Sequence, residues 1–344
     1  MTEPPVTPPA GAESRARTAD AAGRRILVTG AAGYLGSELV ASLARSHEPS
    51  RAWARVVAAD VRELPPARQL AGVCYEVADV RSPRIGELVA AHAIDTVVHL
   101  AAIVTPGPAS NRAFEHSVDV LGTRNVLDAC VAHGVRRVVV TSSGAAYGYH
   151  ADNPAWLTED HPLRGNPEFA YSDHKRQVEE MLAGYRVSHP GLEQVVLRVG
   201  TILGERTSNQ ITALFERARL LKVRGSPSPF VFVWDQDVVG AIEHAIFEGP
   251  PGIYNVAGDG ALTIDEIAAR LGRRCIEIPA WALRAALAAG KALRLTQYGP
   301  EQVAFLRYRP VLDNRRLKEV FGYVPKLTSA QVFDLYRKAH GAAR

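Results

Sequence analysis

The sequence predicts an α/β fold: a doubly wound parallel sheet with a smaller, mostly helical C-terminal lobe. Apolar runs of strand length alternate with helical patterns through the first two-thirds of the 344 residues, the order expected of helices covering a parallel sheet. The strand-like runs are Val-rich and lack clean period-two alternation, as strands buried on both faces do. After about residue 200 helical segments dominate, divided by Pro and Gly clusters such as RGSPSPF and EGPPG.

The elements follow in order. Residues 1–22, rich in Pro, Ala and polar side chains, read as a disordered tail; without an apolar core they are not a secretory signal. The strands are RILVTG, RVVAAD, CYEVAD, TVVHLAA, RRVVVTSS and QVVLRVG. Between them lie helical stretches, among them LGSELVASLARS, RIGELVAAHA and GTRNVLDACVAHG. One more strand-like run, GIYNVAG, precedes LTIDEIAARLG, where Thr263 and Glu266 have capping-box spacing and Gly272 suits the stop. This divides the chain into a nucleotide-binding domain over 23–200, with a later contribution from about 230–257, and a substrate lobe over 201–229 and 258–344.

Composition narrows the function classes. The chain is 47% hydrophobic with a net charge of +4 and only 7% aromatic residues. No clustered basic stripe with stacking aromatics is visible, which excludes a nucleic-acid groove. Cys74, Cys130 and Cys275 are too scattered for a disulfide framework, and no His/Cys/carboxylate spacing points to a metal. The expected compartment is the reducing cytoplasm. PAWALRAALAAGKALRL is too short to span a bilayer and carries Arg284, Lys291 and Arg294. It reads as a packed amphipathic helix, or as an apolar entrance to a pocket.

The most informative stretch is VTGAAGYLG. Gly30 permits a tight turn out of the strand, Gly33 lets backbone approach a pyrophosphate, and Gly36 lets the next helix pack closely. Backbone N–H groups at Tyr34 and Leu35 would meet the anion at the positive end of that helix. RVVAAD ends in Asp60, 24 residues beyond Gly36. An acid there hydrogen-bonds the adenosine ribose and repels a 2′-phosphate, favouring NAD over NADP. This is the pattern of a Rossmann domain.

TGAAGYLG together with YSDHK resembles the extended branch of the short-chain dehydrogenase/reductase superfamily. Further landmarks match in order: Ala78–Val80, His99–Ala102, TSSGAAYG, LRVGTILG and IYNVAG. The resemblance runs from about residue 24 to the C-terminus. It implies that Val61, Asp79, Val80, Leu100, Ala101, Ala102, Thr141, Ser142 and Val199 line the cofactor. It also implies a homodimer built through the helices that start near NRAFEHSVDVLGTRNVLDAC and YSDHKRQVEEMLAGYR. Tyr171 and Lys175 are one helical turn apart and share a face. A phenol titrating near pH 10 exchanges protons at neutral pH when a cation stabilises its phenolate, and the lysine supplies that cation. In the family the lysine also holds the nicotinamide ribose. Ser143 aligns with the residue that orients the reacting oxygen. His174, inside the motif at an unspecified position, is assigned a solvated or packing role, and His99 that of a satisfied core histidine.

Three departures bear on substrate. Thr201 stands where sugar-nucleotide enzymes of this branch place Asn, and Phe230 where they place Arg. Asp119 replaces Asn, with little consequence if that residue acts through its backbone. Losing an amide and a cation weakens a diphosphate site, unless Arg206, Arg217 or Arg224 supplies the charge. Val104, Ser143, Ala145, Thr201 and Phe230 are the candidate substrate contacts. Three functions therefore stay open. The leading one is an NAD-dependent dehydrogenase or ketoreductase for a small, largely apolar alcohol or ketone. The second is a sugar-nucleotide epimerase or dehydratase that retains NAD. The third is a non-catalytic NAD(P)-binding regulator.

Overall fold

The computed structural model describes residues 23–46, 51–105, 107, 110–209, 211–293, 295–296 and 299–341. The N-terminal tail expected over 1–22 lies outside them. Seven parallel strands form the central sheet in the order β3-β2-β1-β4-β5-β6-β10. They are β1 (Arg24–Thr29), β2 (Trp53–Asp60), β3 (Val73–Val77), β4 (Thr96–His99), β5 (Arg137–Ser143), β6 (Glu193–Val199) and β10 (Gly252–Val256). Each of the runs read as strands from the sequence contributes one of them, and GIYNVAG joins the main sheet beside β6.

Why the strands show no simple alternation is visible in the packing. Ile26 and Val28 of β1 face one apolar layer, with Leu39 and Leu43 of α1 (Tyr34–Arg45) and Val238 and Ile242 of α7 (Asp235–Phe247). Leu27, between them in sequence, faces the opposite layer, with Leu88 of α2 (Arg84–Ala91), Leu127 of α4 (Gly122–Ala132) and Leu182 of α5 (Ala170–Ser188). Both neighbours of every strand residue must be apolar when both faces are covered. A short α3 (Arg112–His116) runs through a π-helical turn into α4. β1 has β2 on one side and β4 on the other. The crossovers reverse direction there, which opens a crevice beyond the carboxyl ends of β1 and β4.

The remainder is helical with two small parallel strand pairs. β7 (Thr201–Leu203) pairs β9 (Phe232–Trp234), and β8 (Arg219–Val223) pairs β11 (Arg274–Ile278). Of these, β7, β8 and β11, at three to five residues, are additions to the sequence-based reading, too short to show a period. The helices are α6 (Thr212–Phe215), α8 (Ile264–Arg270), α9 (Ala280–Ala292), α10 (Gln302–Arg307) and α11 (Ser329–Gly341). Thr263 and Glu266 form the expected capping box at α8, a device that stabilises a helix by about 1 kcal/mol. An aromatic core of Phe215, Phe230, Phe232, Phe333 and Tyr336 holds this part together. The segment PAWALRAALAAGKALRL does form a helix, but Leu283 alone of α9 is buried and Trp281 stays 75% exposed.

Candidate active site

The glycine loop lies at the crevice. Gly30 has φ +73°, and a Cβ there would stand 2.7 Å from the Ala101 backbone nitrogen, so the turn from β1 into α1 tolerates no side chain. A Cβ on Gly36 would sit 2.2 Å from the Gly30 carbonyl oxygen, which fixes how closely α1 packs on its own loop. Gly33 is the N-cap of α1 and supplies no side-chain cap, which leaves the amides of the first turn to an external acceptor. This bare cradle fits a pyrophosphate. Leu35 packs against the core.

Asp60 closes the adjoining side. One carboxylate oxygen accepts from the Ala32 amide at 3.0 Å, the other from the amide and Nε of Arg62 at 3.0 and 3.1 Å. The acid thus braces the glycine loop. Val61 is exposed and Val80 buried, and Arg81 beside Asp79 holds that carboxyl below its ordinary range. Leu100, Ala101 and Ala102 follow β4 as partly buried residues, and Val199 is buried at the end of β6. The Tyr34 side chain turns away from the loop. Its hydroxyl donates to Asp235 at 2.5 Å and meets the Thr207 hydroxyl at 2.9 Å, and burial with Asp235 beside it drives the phenol up.

β5 and α5 carry Ser143, Tyr171 and Lys175, the expected reacting residues. β5 ends in Thr141, Ser142 and Ser143, and the Ser143 Oγ accepts from the Ala145 amide at 3.2 Å. Ser172, next to Tyr171, donates to the Ala145 carbonyl at 2.7 Å. That bond ties the start of α5 to the turn after Ser143. Lys175 donates to the Thr141 carbonyl at 2.8 Å, and its Nζ lies 5.7 Å from the centre of the Tyr171 ring. Behind them is a buried polar web. Arg198 grips Glu179 at 2.7–3.0 Å, Glu179 accepts from Ser142 at 2.5 Å, and Arg198 also donates to the Tyr147 hydroxyl at 2.8 Å.

The histidines divide. His99 bridges the hydroxyls of Thr29 and Thr123 at 2.7 and 2.9 Å; burial, then the Lys175 charge, push it down to about 3, so it is a neutral core group as expected. His174 is not solvated: it is 1% exposed, and its Nδ1 lies 3.0 Å from Asp119. The other oxygen of Asp119 accepts from the Ile103 amide at 2.8 Å. Asp119 therefore acts through its side chain, fastening α5 to the chain after β4.

The candidate substrate residues separate. Val104 is exposed, Ala145 buried and Thr201 partly buried at the start of β7. Phe230 is 1% exposed, stacked on Phe232 at 5.5 Å, yet it also lines a cavity of about 240 Å³ with Ser228, Leu306, Arg217, Arg219 and Arg309. Arg309 lies 3.8 Å over the Phe230 ring and 4.9 Å over Phe305. It is partly buried, donates to Ser228 and to the Leu306 carbonyl, and its Nε is sealed without a partner. No carboxylate among the described residues pairs with it. Burial pushes it down to about 9, which still leaves it cationic at neutral pH. Of the arginines considered from sequence, Arg217 alone reaches this cavity; Arg206 pairs with Glu38. Arg309 was missed because its place over Phe230 depends on long-range folding.

Residues 26–257 match the family model described as the NAD dependent epimerase/dehydratase family. The chain belongs to that family. An epimerase/dehydratase-family enzyme depends on NAD, and the cradle above fits it. Over 324 residues the chain is 30% identical to the UDP-glucose 4-epimerase of Mycolicibacterium smegmatis, covering 89% of this chain and 95% of that one. It is 28% identical to an uncharacterised protein of Mycobacterium tuberculosis over 317 residues, 92% of this chain and 84% of the relative. The fold matches the UDP-glucose 4-epimerase of Thermotoga maritima, crystallised with UDP-glucose, with a TM-score of 0.69 at 19% identity over 93% and 99% of the two chains.

Proposed function

We propose that this family member transforms a sugar nucleotide as an epimerase or dehydratase with retained NAD, the second of the three sequence-based readings. The observation that carries it is Arg309, a partly buried guanidinium with no carboxylate partner among the described residues and a sealed, unpartnered Nε, beside a cavity that Arg217 and Arg219 also line. A buried cation is costly unless an anion meets it, and a diphosphate accepts guanidinium donors well. Arg309 restores the charge that Phe230 removes, which answers the departure that favoured an apolar alcohol or ketone. That leading alternative retains one observation, the Leu214, Leu220 and Leu306 lining of the same cavity.

The roles follow from position. Gly30, Gly33, Tyr34, Leu35 and Gly36 hold the pyrophosphate, and Asp60 takes the adenosine ribose. NAD, when bound, supplies reversible two-electron oxidation of a carbinol carbon. Tyr171 exchanges the proton of the substrate hydroxyl, and Ser143 donates to the same oxygen. Lys175, anchored to the Thr141 carbonyl, holds its ammonium against the Tyr171 ring and beside the position of the nicotinamide ribose. The reading extends to a homodimer through the segments beginning at Asn111 and Tyr171, where Phe114 and Leu121 are exposed, and to the cytoplasm, which its three unpaired cysteines suit. No described helix is long and apolar enough to cross a membrane.

The test is a paired panel. UDP- and dTDP-hexoses are incubated with the enzyme and followed by chromatography of the products, beside small ketones and alcohols followed by nicotinamide absorbance. Conversion of a sugar nucleotide without net NADH supports the proposal. Stoichiometric NADH consumption with a small ketone, and none with a sugar nucleotide, overturns it.

A further inference from the structure

Away from the crevice, the edge strand β3 presents Cys74 and Glu76 at alternate positions, so both leave the same side of the strand. His92 closes the C-terminal end of α2. The fold brings the three together. The Cys74 thiol lies 3.8 Å from Glu76 Oε1, and His92 Nε2 lies 3.9 Å from that same oxygen. All three donor atoms fall within 4.8 Å of one another. We infer that Cys74, Glu76 and His92 form a binding site for a divalent cation of the zinc class, with a fourth position left to water.

The donor set selects the ion. Thiolate and imidazole favour a borderline-soft metal over magnesium or calcium, which take oxygen ligands. The spacing also fits. A tetrahedral ion with bonds of about 2.3 Å to sulfur and about 2.0 Å to nitrogen or oxygen sets its ligand atoms about 3.3–3.6 Å apart. The two contacts at Glu76 are within a few tenths of an ångström of that, so small side-chain rotations close the site. The second carboxylate oxygen is already engaged, accepting from Arg84 at 3.0 Å. This leaves Oε1 aimed at the thiol and the imidazole, the arrangement in which an outer partner orients a ligating carboxylate. His92 and Glu76 keep 18% and 25% of their side chains exposed, so an ion can enter from solvent.

Opposing charge sets the conditions. Arg84 on Glu76, and Arg55 near Cys74, disfavour a cation, so the site is one of moderate affinity. Burial, with Glu76 beside it, raises the Cys74 thiol. The ion must displace that proton, and affinity rises with pH. The metal would pin β3 to α2, the two elements that flank Asp79 and Val80. Sequence spacing gave no sign of it, because the imidazole arrives from 16 residues beyond Glu76 through the turn of the chain.

The experiment is a cobalt titration of chelator-treated protein. One equivalent of Co²⁺ per chain is expected to give a thiolate-to-cobalt charge-transfer band and tetrahedral ligand-field bands, both bleached by added Zn²⁺. Cys74→Ser should remove the charge-transfer band, and His92→Ala should weaken Co²⁺ binding at least tenfold, the order of loss expected at a metal site. NAD binding and the melting temperature report that each variant is folded. Absence of the band at millimolar Co²⁺, or its survival in Cys74→Ser, overturns the assignment. If Cys74→Ser does not fold, Glu76→Gln decides: retained affinity refutes the site, and at least a tenfold loss supports it.

Discussion

Arg309 holds its guanidinium 3.8 Å above the ring of Phe230, so the residue that replaces a cation in this chain also seats one. The ring's π-face takes the place of a counter-carboxylate. A carboxylate would neutralise the site, whereas a π-face orients the charge and leaves it available. Replacing Arg309 by Met should weaken binding of a nucleoside-diphosphate sugar about 10- to 100-fold, the worth of one or two charge-assisted hydrogen bonds. Calorimetric titration checks it. The same variant should melt no lower than the parent without substrate, since it deletes a desolvated charge rather than a paired one.

Tyr171→Phe removes the proposed proton carrier and little else, because the lysine anchor on the Thr141 carbonyl stays. Turnover should fall by about 10²- to 10⁴-fold, the usual contribution of a general acid–base group, with NAD affinity nearly unchanged. Steady-state rates and NAD fluorescence titration read the two effects separately. Retained turnover would remove Tyr171 from the proposed proton transfer.

Asp60 braces the glycine loop and is proposed to read the ribose, and a pair of substitutions separates the two. Asp60→Asn keeps an oxygen acceptor for the Ala32 amide and discards the charge, so NADP binding should improve while the loop holds. Asp60→Ala also frees the Ala32 amide, now bonded at 3.0 Å, and should cost about tenfold in NAD affinity as well. The ratio of NAD to NADP dissociation constants in the two variants checks this. An unchanged ratio in both would mean that Asp60 does not read the ribose.

The Arg198–Glu179 pair is 3% and 5% exposed. Arg198→Met leaves a buried carboxylate without its partner and should destabilise the fold by about 3–5 kcal/mol, read from the denaturant midpoint. Because Ser142 bonds the same carboxylate, turnover should fall together with stability. A double variant that removes both charges should recover most of the stability.

Protein purified without added cofactor and then denatured should release close to one equivalent of nicotinamide cofactor per chain, measured by chromatography. Little or none would mark NAD as an exchanging cosubstrate and return the apolar alcohol or ketone to first place.

The legible parts of this chain were those governed by local rules. Val-rich runs announced strands covered on both faces, and Gly30 and Gly36 announced a turn where backbone approaches backbone. Thr263 and Glu266 sit three apart, so the cap was readable directly. What sequence hid was separation. Arg309 meets Phe230 from 79 positions away, and Asp119 meets His174 from 55. β7 spans three residues, less than any period needs to show itself. His174 looked incidental because only the fold reveals its partner.

The link from Tyr34 to Asp235 and Thr207 has a kinetic side. It staples the glycine loop to the start of α7 and to the segment after β7. Motion of the glycine loop away from α7 has to break these two side-chain bonds. A reaction that returns its nicotinamide to the starting oxidation state gains nothing from exchange. For such a catalyst, a loop held in this way would suit a long cofactor residence time.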